Sequence, residues 1–291
     1  MRPQGAQHAT MTNSLGHYLQ LWNLREPERL AQTPTSDVYA VTLDGERAVL
    51  KLLTPVGAED EHGAVAALRY YDGHGAVRLL AHDDRAHLLE YAGDEELAAM
   101  VPRGGDLAAA TVIAEVLNKL HRSRSDAPAP QLQTLRWRFR SLFRTAARDK
   151  AAGVESIFVR GARVAERLLA HPQDECVLHG DIQHHNIRRH PARGWLAYDP
   201  KGLYGERAYD AANTLCNPAN ARDRVMSEAR LLEVSQALAD GMGVDVGRLR
   251  AFVFAHACLS ASWPDKPEGS DIEHWFLTVA RNAERHADFA A

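Results

Sequence analysis

Val177-Leu178-His179-Gly180-Asp181-Ile182-Gln183-His184-His185-Asn186 is the stretch whose reading decides the fold. An apolar pair leads into a polar loop with a histidine, a glycine and an aspartate, and an asparagine closes it. Ile187-Arg188-Arg189-His190 and Trp195-Leu196-Ala197-Tyr198 then read as two short strands, with Pro191-Ala192-Arg193-Gly194 turning between them. Asp199 ends that hairpin and so returns beside Asn186. The pattern predicts a strand–loop–strand unit holding three oxygen-bearing side chains, Asp181, Asn186 and Asp199, at fixed offsets. Asp and Asn also favour ordinary turns through local hydrogen bonds, but the hairpin with its terminal Asp199 makes the functional reading the stronger one. No cysteine or H-E-x-x-H spacing lies near His184 and His185, so both are read as loop packing or solvent-facing.

Phosphoryl transfer from a metal nucleotide needs such a set: one group holds the acceptor hydroxyl and two hold magnesium on the phosphates. The protein-kinase catalytic loop is written H-R-D-x-x-x-x-N, and this chain reads H-G-D-x-x-x-x-N. Upstream, Ala48-Val49-Leu50-Lys51 resembles the kinase strand V-A-I-K, whose lysine contacts the nucleotide phosphates. A lysine on an apolar strand must be solvated or paired. Glu59 and Glu61 compete as its partner. Glu61 shares the stripe of Ala64, Val65 and Leu68 and is preferred, against the alternative of a first-turn Glu favoured by the helix dipole. The loop Thr33-Pro34-Thr35-Ser36-Asp37 carries no glycine, unlike the Gly-rich phosphate cover of protein kinases. Ser36 and neighbouring backbone N–H groups are therefore the candidate phosphate lid. Glu90-Tyr91-Ala92-Gly93 falls where two lobes would join. Backbone at Glu90 and Ala92 is expected to meet the adenine edge, with Val49 and Leu89 sandwiching the ring.

With 291 residues the chain can bury a substantial core as one large domain or two lobes. A formal net charge of −4 without a long run of like charge argues against a nucleic-acid partner and tolerates a cationic small molecule. Cys176, Cys216 and Cys258 are odd in number and widely spread, which fits free thiols in a reducing cytoplasm. No signal pattern is evident and no apolar run approaches the ~20 residues of a membrane span. The expectation is a soluble cytoplasmic protein with no obligate protein partner.

Residues 1–12 are polar and aperiodic and read as a disordered start, and residues 14–22 as a short amphipathic helix. Three strands are expected over residues 29–33, 37–43 and 47–53, with Asp44-Gly45 as a two-residue hairpin turn. A helix is expected over 58–71, and further strands over 75–80 and 86–91. Helices are then expected over 107–121, 132–148, 157–169, 227–242 and 244–258. Arg136-Trp137-Arg138-Phe139-Arg140 reads as a partly exposed helix with aromatic anchors rather than a nucleic-acid patch. These elements divide the chain into an N-terminal segment (1–24), a small antiparallel β lobe with one helix and a hinge (25–93), and a larger helical lobe (94–291). The fold class is α+β, two-lobed and protein-kinase-like.

Lys51, Glu61, His179-Gly180-Asp181, Asn186 and Asp199 together resemble an aminoglycoside phosphotransferase. The segments Gly75-Ala76-Val77-Arg78-Leu79-Leu80, Leu88-Leu89-Glu90-Tyr91-Ala92-Gly93, Gly194-Trp195-Leu196, Asp199-Pro200, Gly202-Leu203, Asn217-Pro218 and Leu259-Ser260-Ala261-Ser262-Trp263 resemble the streptomycin 6-kinase branch, the aminoglycoside/hydroxyurea kinases. The resemblance runs from about residue 30 to 275. It implies that Asp181 orients and deprotonates the acceptor hydroxyl, that Asn186 and Asp199 hold Mg2+, and that Lys51, braced by Glu61, holds the phosphates of ATP or GTP. His179 and Asp210 would support the catalytic loop, although Asp210 in Ala208-Tyr209-Asp210-Ala211-Ala212-Asn213 reads equally as a helix N-cap. Streptomycin carries two guanidinium groups, for which Asp265, Glu268, Asp271 and Glu273 are the candidate acceptor-binding carboxylates. The implied activity is transfer of phosphate to the 6-hydroxyl of streptomycin. A kinase for another small hydroxylated compound, and a nucleotide-binding regulator without turnover, stay open beside it.

Overall fold

The apolar alternation of the first strands builds a twisted antiparallel sheet. A computed structural model describes residues 15–61, 63–122, 129–263 and 269–288 of the chain. The expectation for residues 1–12 lies outside these, as do Asp265 and Glu268. Residues 15–21 form a helix, α1. Five strands follow in the spatial order β1-β2-β3-β5-β4: β1 (Arg25–Gln32), β2 (Ser36–Leu43), β3 (Glu46–Leu53), β4 (Leu79–His82) and β5 (Ala86–Glu90). Asp44 and Gly45 both take positive φ, 49° and 86°, as a tight two-residue hairpin turn requires. Tyr18 and Leu24 pack with Val41, Leu50, Leu52 and Leu88 in the small core of this lobe.

The helix expected over 58–71 is broken into α2 (Pro55–Asp60) and α3 (Ala64–Tyr71). The cause is steric. Gly63 lies against Gly202, and a Cβ on either residue would collide with the other's carbonyl oxygen. The break therefore lets the segment after α2 close onto the loop that follows Asp199. The strand expected over 75–80 starts only at Leu79, because residues 75–77 pair instead with Ala197 across the lobe junction: Ala197 N–H donates to Gly75 and Val77 N–H to Ala197.

The second lobe begins with β6 (Glu95–Glu96) and α4 (Asp106–Leu120). The helix expected over 132–148 is β7 (Gln133–Thr134), α5 (Leu135–Arg138) and α6 (Arg140–Ala151); Phe139 leaves helical geometry between the two helices and buries its ring. Then come α7 (Ile157–Ala170), β8 (Glu175–Leu178), β9 (Ile187–His190), β10 (Gly194–Ala197), β11 (Leu203–Glu206) and α8 (Arg207–Leu215). The chain ends in α9 (Arg222–Val225), α10 (Glu228–Met242), α11 (Val246–Ala261) and α12 (Asp271–His286). Helices α8, α9 and α12 fall outside the expectations. α11 is apolar on nearly every face because α7, α8 and α12 surround it. Two three-stranded sheets, β10-β9-β6 and β7-β11-β8, present the catalytic loop at the junction of the lobes. The architecture is the two-lobed, protein-kinase-like one.

Candidate active site

Two lobes meet at a ring of charge. Lys51 projects from the centre of β3 and is buried, and its Nζ lies 2.7 Å from Glu61 Oε1. The same ammonium hydrogen-bonds Asp199 Oδ1 from the other lobe. Glu61 is also 3.2 Å from Lys201 Nζ, so one buried carboxylate serves two lysines. Burial pushes the Asp199 carboxyl up, but Lys51 and Lys201 outweigh it and hold the group below the usual carboxylate range. Asp199 itself adopts a left-handed backbone, φ 60°, a costly conformation for a residue with a Cβ. His179 pins the backbone just before it: its Nε2–H donates to the Tyr198 carbonyl at 3.0 Å, and its Nδ1 accepts from Asp181 N–H at 3.3 Å. The Nδ1 contact needs the neutral ring, and burial lowers the His179 pKa accordingly.

The catalytic loop is built on amides instead. Asp210 sits in the first turn of α8 and accepts the backbone N–H groups of His179 at 2.8 Å and Gly180 at 2.7 Å. His121 Nε2 lies 2.9 Å from the same carboxylate. Glu206, not Asp210, holds the N-cap position of that helix. Burial raises the Asp210 carboxyl, and the hydrogen bond and charge of His121 with the loop N–H groups more than offset it, so the net shift is downward. At Asp181, Oδ1 accepts from Asn213 Nδ2 at 2.9 Å and Oδ2 from Asn186 Nδ2 at 3.2 Å. Burial pushes this carboxyl above its usual range, against the pull of Arg138 and Lys201. Asn186 Nδ2 also donates to the Asp181 carbonyl at 2.8 Å, which leaves the opposite end of the amide, its oxygen, toward the cleft.

A cleft of about 460 Å³ runs between the lobes, lined by Lys51, Asn186 and Asp199 and by the apolar Val49, Leu89 and Ala92. Ser36 lines it too, but the N–H groups of Thr35 and Ser36 turn inward to the Thr33 hydroxyl at 3.3 and 3.0 Å. Thr54 ties the same loop to α2 through the Pro34 and Thr35 carbonyls. This lid is held by the hydroxyls of Thr33 and Thr54. Glu90 faces away from the cleft: its carboxylate pairs with Arg193 and accepts Arg78 N–H at 2.9 Å, leaving only backbone to meet a ligand. Burial raises the Glu90 carboxyl, and Arg193 together with Arg78 brings it below the usual range. Arg188 and Tyr198 line the cleft as well, with the guanidinium 5.8 Å from the ring centre. His184 is buried in the loop, and burial lowers it to a pKa of about 3; His185 pairs with Glu96 at 3.0 Å.

Asp271 and Glu273 occupy the first turn of α12, where Ser270 caps through Glu273 N–H and Glu273 reaches back to Gly269 N–H. Neither lines the cleft, and Glu273 is committed to the cap. Three residues near the reacting end are not singled out by sequence. Asn213 touches Asp181, Lys201 touches Glu61, and Arg138 hydrogen-bonds Tyr209 and lies 5.3 Å from the Trp263 ring centre. Asn213 and Arg138 stood inside quoted stretches, and Lys201 lies between Asp199-Pro200 and Gly202-Leu203, so position was the available signal. Magnesium on nucleotide phosphates needs few protein oxygens, and beside Lys51 the cleft offers the Asp199 carboxylate and the Asn186 amide oxygen. That donor set fits, and among the described residues no cluster of three His, Cys, Asp or Glu competes with it. No helix among the described residues is long and apolar enough to cross a membrane.

A lysine–glutamate pair on the small lobe, an H-G-D-x-x-x-x-N loop and a returning aspartate define a kinase-type phosphotransferase. The chain belongs to the aminoglycoside/hydroxyurea antibiotic resistance kinase family, whose model matches residues 21–267. It is 34% identical over 249 residues to a streptomycin 3''-kinase of Klebsiella pneumoniae, covering 84% of this chain and 90% of that protein. It is 29% identical over 281 residues to a streptomycin 6-kinase of Streptomyces glaucescens, covering 92% and 87%. Among solved structures, an amicoumacin kinase in complex with AMP-PNP and Ca2+ aligns with a TM-score of 0.63 at 14% identity, over 99% of both chains. That last likeness speaks to the fold alone.

Proposed function

We propose that this kinase transfers the γ-phosphoryl group of ATP to a hydroxyl of streptomycin and so inactivates the antibiotic. The observation that carries the reading is a lysine-paired carboxylate, Asp199, beside an amide-held carboxylate, Asp181, whose partner Asn186 lines the same cleft as Asp199. Bound ATP with Mg2+ supplies the phosphoryl donor and neutralises charge on its oxygens. Asp199 and the Asn186 oxygen would hold the metal. Lys51, braced by Glu61, would bind phosphate oxygens, while Ser36 borders them. The Glu90–Ala92 backbone would take the purine edge, with Val49 and Leu89 against its faces. Asp181 then orients the acceptor hydroxyl and receives its proton, a role suited to a carboxyl whose pKa burial has raised. His179 and Asp210 keep the loop in place. Asp271, in the segment from Asp265 to Glu273, would attract a guanidinium group of the antibiotic.

The acceptor position has two supports. The motif resemblance points to the 6-hydroxyl, and the 34% identity to a 3''-kinase favours the 3''-hydroxyl. Incubation with ATP, Mg2+ and streptomycin should add the mass of one phosphoryl group, and NMR of the purified product should place it. No mass gain with streptomycin, but transfer to hydroxyurea or another small hydroxylated compound, would replace this reading with the alternative acceptor class.

A further inference from the structure

Asp181 is held by Asn213, and the direction of that contact is settled by residues behind it. The two ends of an Asn amide look alike, so their assignment comes from the hydrogen-bond network. Asn217 Nδ2 faces two carbonyl-type oxygens of Asn213, the backbone O at 2.9 Å and Oδ1 at 3.0 Å, which makes it a donor to both. His256 Nε2 lies 3.1 Å from the same Oδ1. A ring nitrogen facing an amide oxygen must carry the proton, so His256 is the Nε2–H tautomer. Its Nδ1 then accepts from the Tyr209 hydroxyl at 3.2 Å. Tyr209 and His256 are both 1% exposed, and their rings meet edge to face. With two donors on Oδ1, the Asn213 NH₂ has one direction left, toward Asp181 Oδ1.

We infer that Asn213, locked by His256 and Asn217, is a positioning residue that fixes the rotation of the Asp181 carboxylate within a buried site. The inference rests on the proposed role of Asp181 as the base. It assigns a task to the middle of α11: His256 is a buried polar group among apolar neighbours on that helix, and its ring passes the rigidity of the helix to the reacting carboxylate. The charged groups bearing on Asp181 are Arg138 from α5, Lys201 and Asp199 from the loop after β10, and His179 beside it. The variants below leave all four unchanged.

The test is steady-state kinetics with streptomycin and ATP, read as a split between kcat and KM. In Asn213→Ala, kcat should fall by about tenfold while KM for ATP stays within twofold. His256→Leu should reproduce part of that loss. His256→Gln, whose amide can donate to Asn213 Oδ1, should restore kcat to within threefold of the parent. A kcat within twofold of the parent in Asn213→Ala, or His256→Gln and His256→Leu variants that behave alike, would overturn the assignment. If Asp181→Asn itself turns over like the parent, the base role falls and the positioning role with it. If Asp181→Asn is inactive and Asn213→Ala is normal, only the positioning role falls.

Discussion

Asp199 lines the cleft and Asp181 is hydrogen-bonded to Asn186, which lines it too, yet their surroundings push the two carboxylates in opposite directions. Asp199 faces two lysines and is held low; Asp181 faces two asparagine amides and is pushed up by burial. Charge partners suit a group that must stay anionic to hold a cation, whereas neutral donors leave a carboxylate basic enough to take a proton. The comparison teaches that the two tasks of a kinase site are separated here by the kind of partner each carboxylate has, since both stand at the same lobe junction.

The sharpest way to break the comparison is at Asp181. Replacing it by Asn should lower kcat by ~10²–10⁴ in a steady-state assay with streptomycin. A rate within threefold of the parent would remove Asp181 from the chemistry. A second large effect is expected at Asp210, which supports the amide side alone. Asn there offers one acceptor to backbone N–H groups that now meet two carboxylate oxygens. Breaking such a buried charged network costs about 3 kcal/mol, and chemical denaturation should show it. A loss below about 1 kcal/mol would mean that the loop is braced elsewhere.

The two carboxylates also predict an order of events on acidification. Asp210 and Asp199 have depressed pKa values in the folded state. Their contributions are present above the unfolded Asp pKa, about 3.9, and are lost only as pH falls through the lower folded values. Asp181 is raised, so it protonates first as pH falls. Turnover should therefore decline at a pH where the protein remains folded and still binds ATP with magnesium. Coincident loss of activity, ATP binding and structure would contradict this ordering. The smallest effect belongs to the acceptor side. Asp271→Asn should raise the streptomycin KM by about threefold with little change in kcat, the signature of lost uniform binding. The increase should shrink as salt is added.

Much of this site could be read from sequence because its residues are close neighbours in the chain or stand on strongly patterned strands. His179, Asp181, Asn186 and Asp199 belong to one strand–loop–hairpin unit, and Lys51 is the one cation on an apolar strand segment. Glu61 does reach Lys51, but not along the continuous helix its periodicity suggested. The break at Gly63 is imposed by Gly202, a residue far along the chain, which no local pattern can report. Asn213, Lys201 and Arg138 were missed for the same reason: they act through contacts between elements whose packing is set by tertiary structure. The lid was misjudged in its detail. Its N–H groups seemed available in sequence, whereas the Thr33 hydroxyl takes them. α12 had a readable start in its Ser270…Glu273 capping box, but the acidic residues around it drew attention to ligand binding instead.

Calorimetric titration of ATP into Asp181→Asn and Asp199→Ala, each with and without magnesium, tests the division between the two carboxylates most directly. Asp181→Asn should bind ATP with the parent's affinity and the parent's magnesium dependence. Asp199→Ala should lose the magnesium-dependent gain, weakening binding by about tenfold or more, because Asn186 alone offers the ion no negative charge. Two variants that weaken alike, or a magnesium response that survives in Asp199→Ala, would contradict the account.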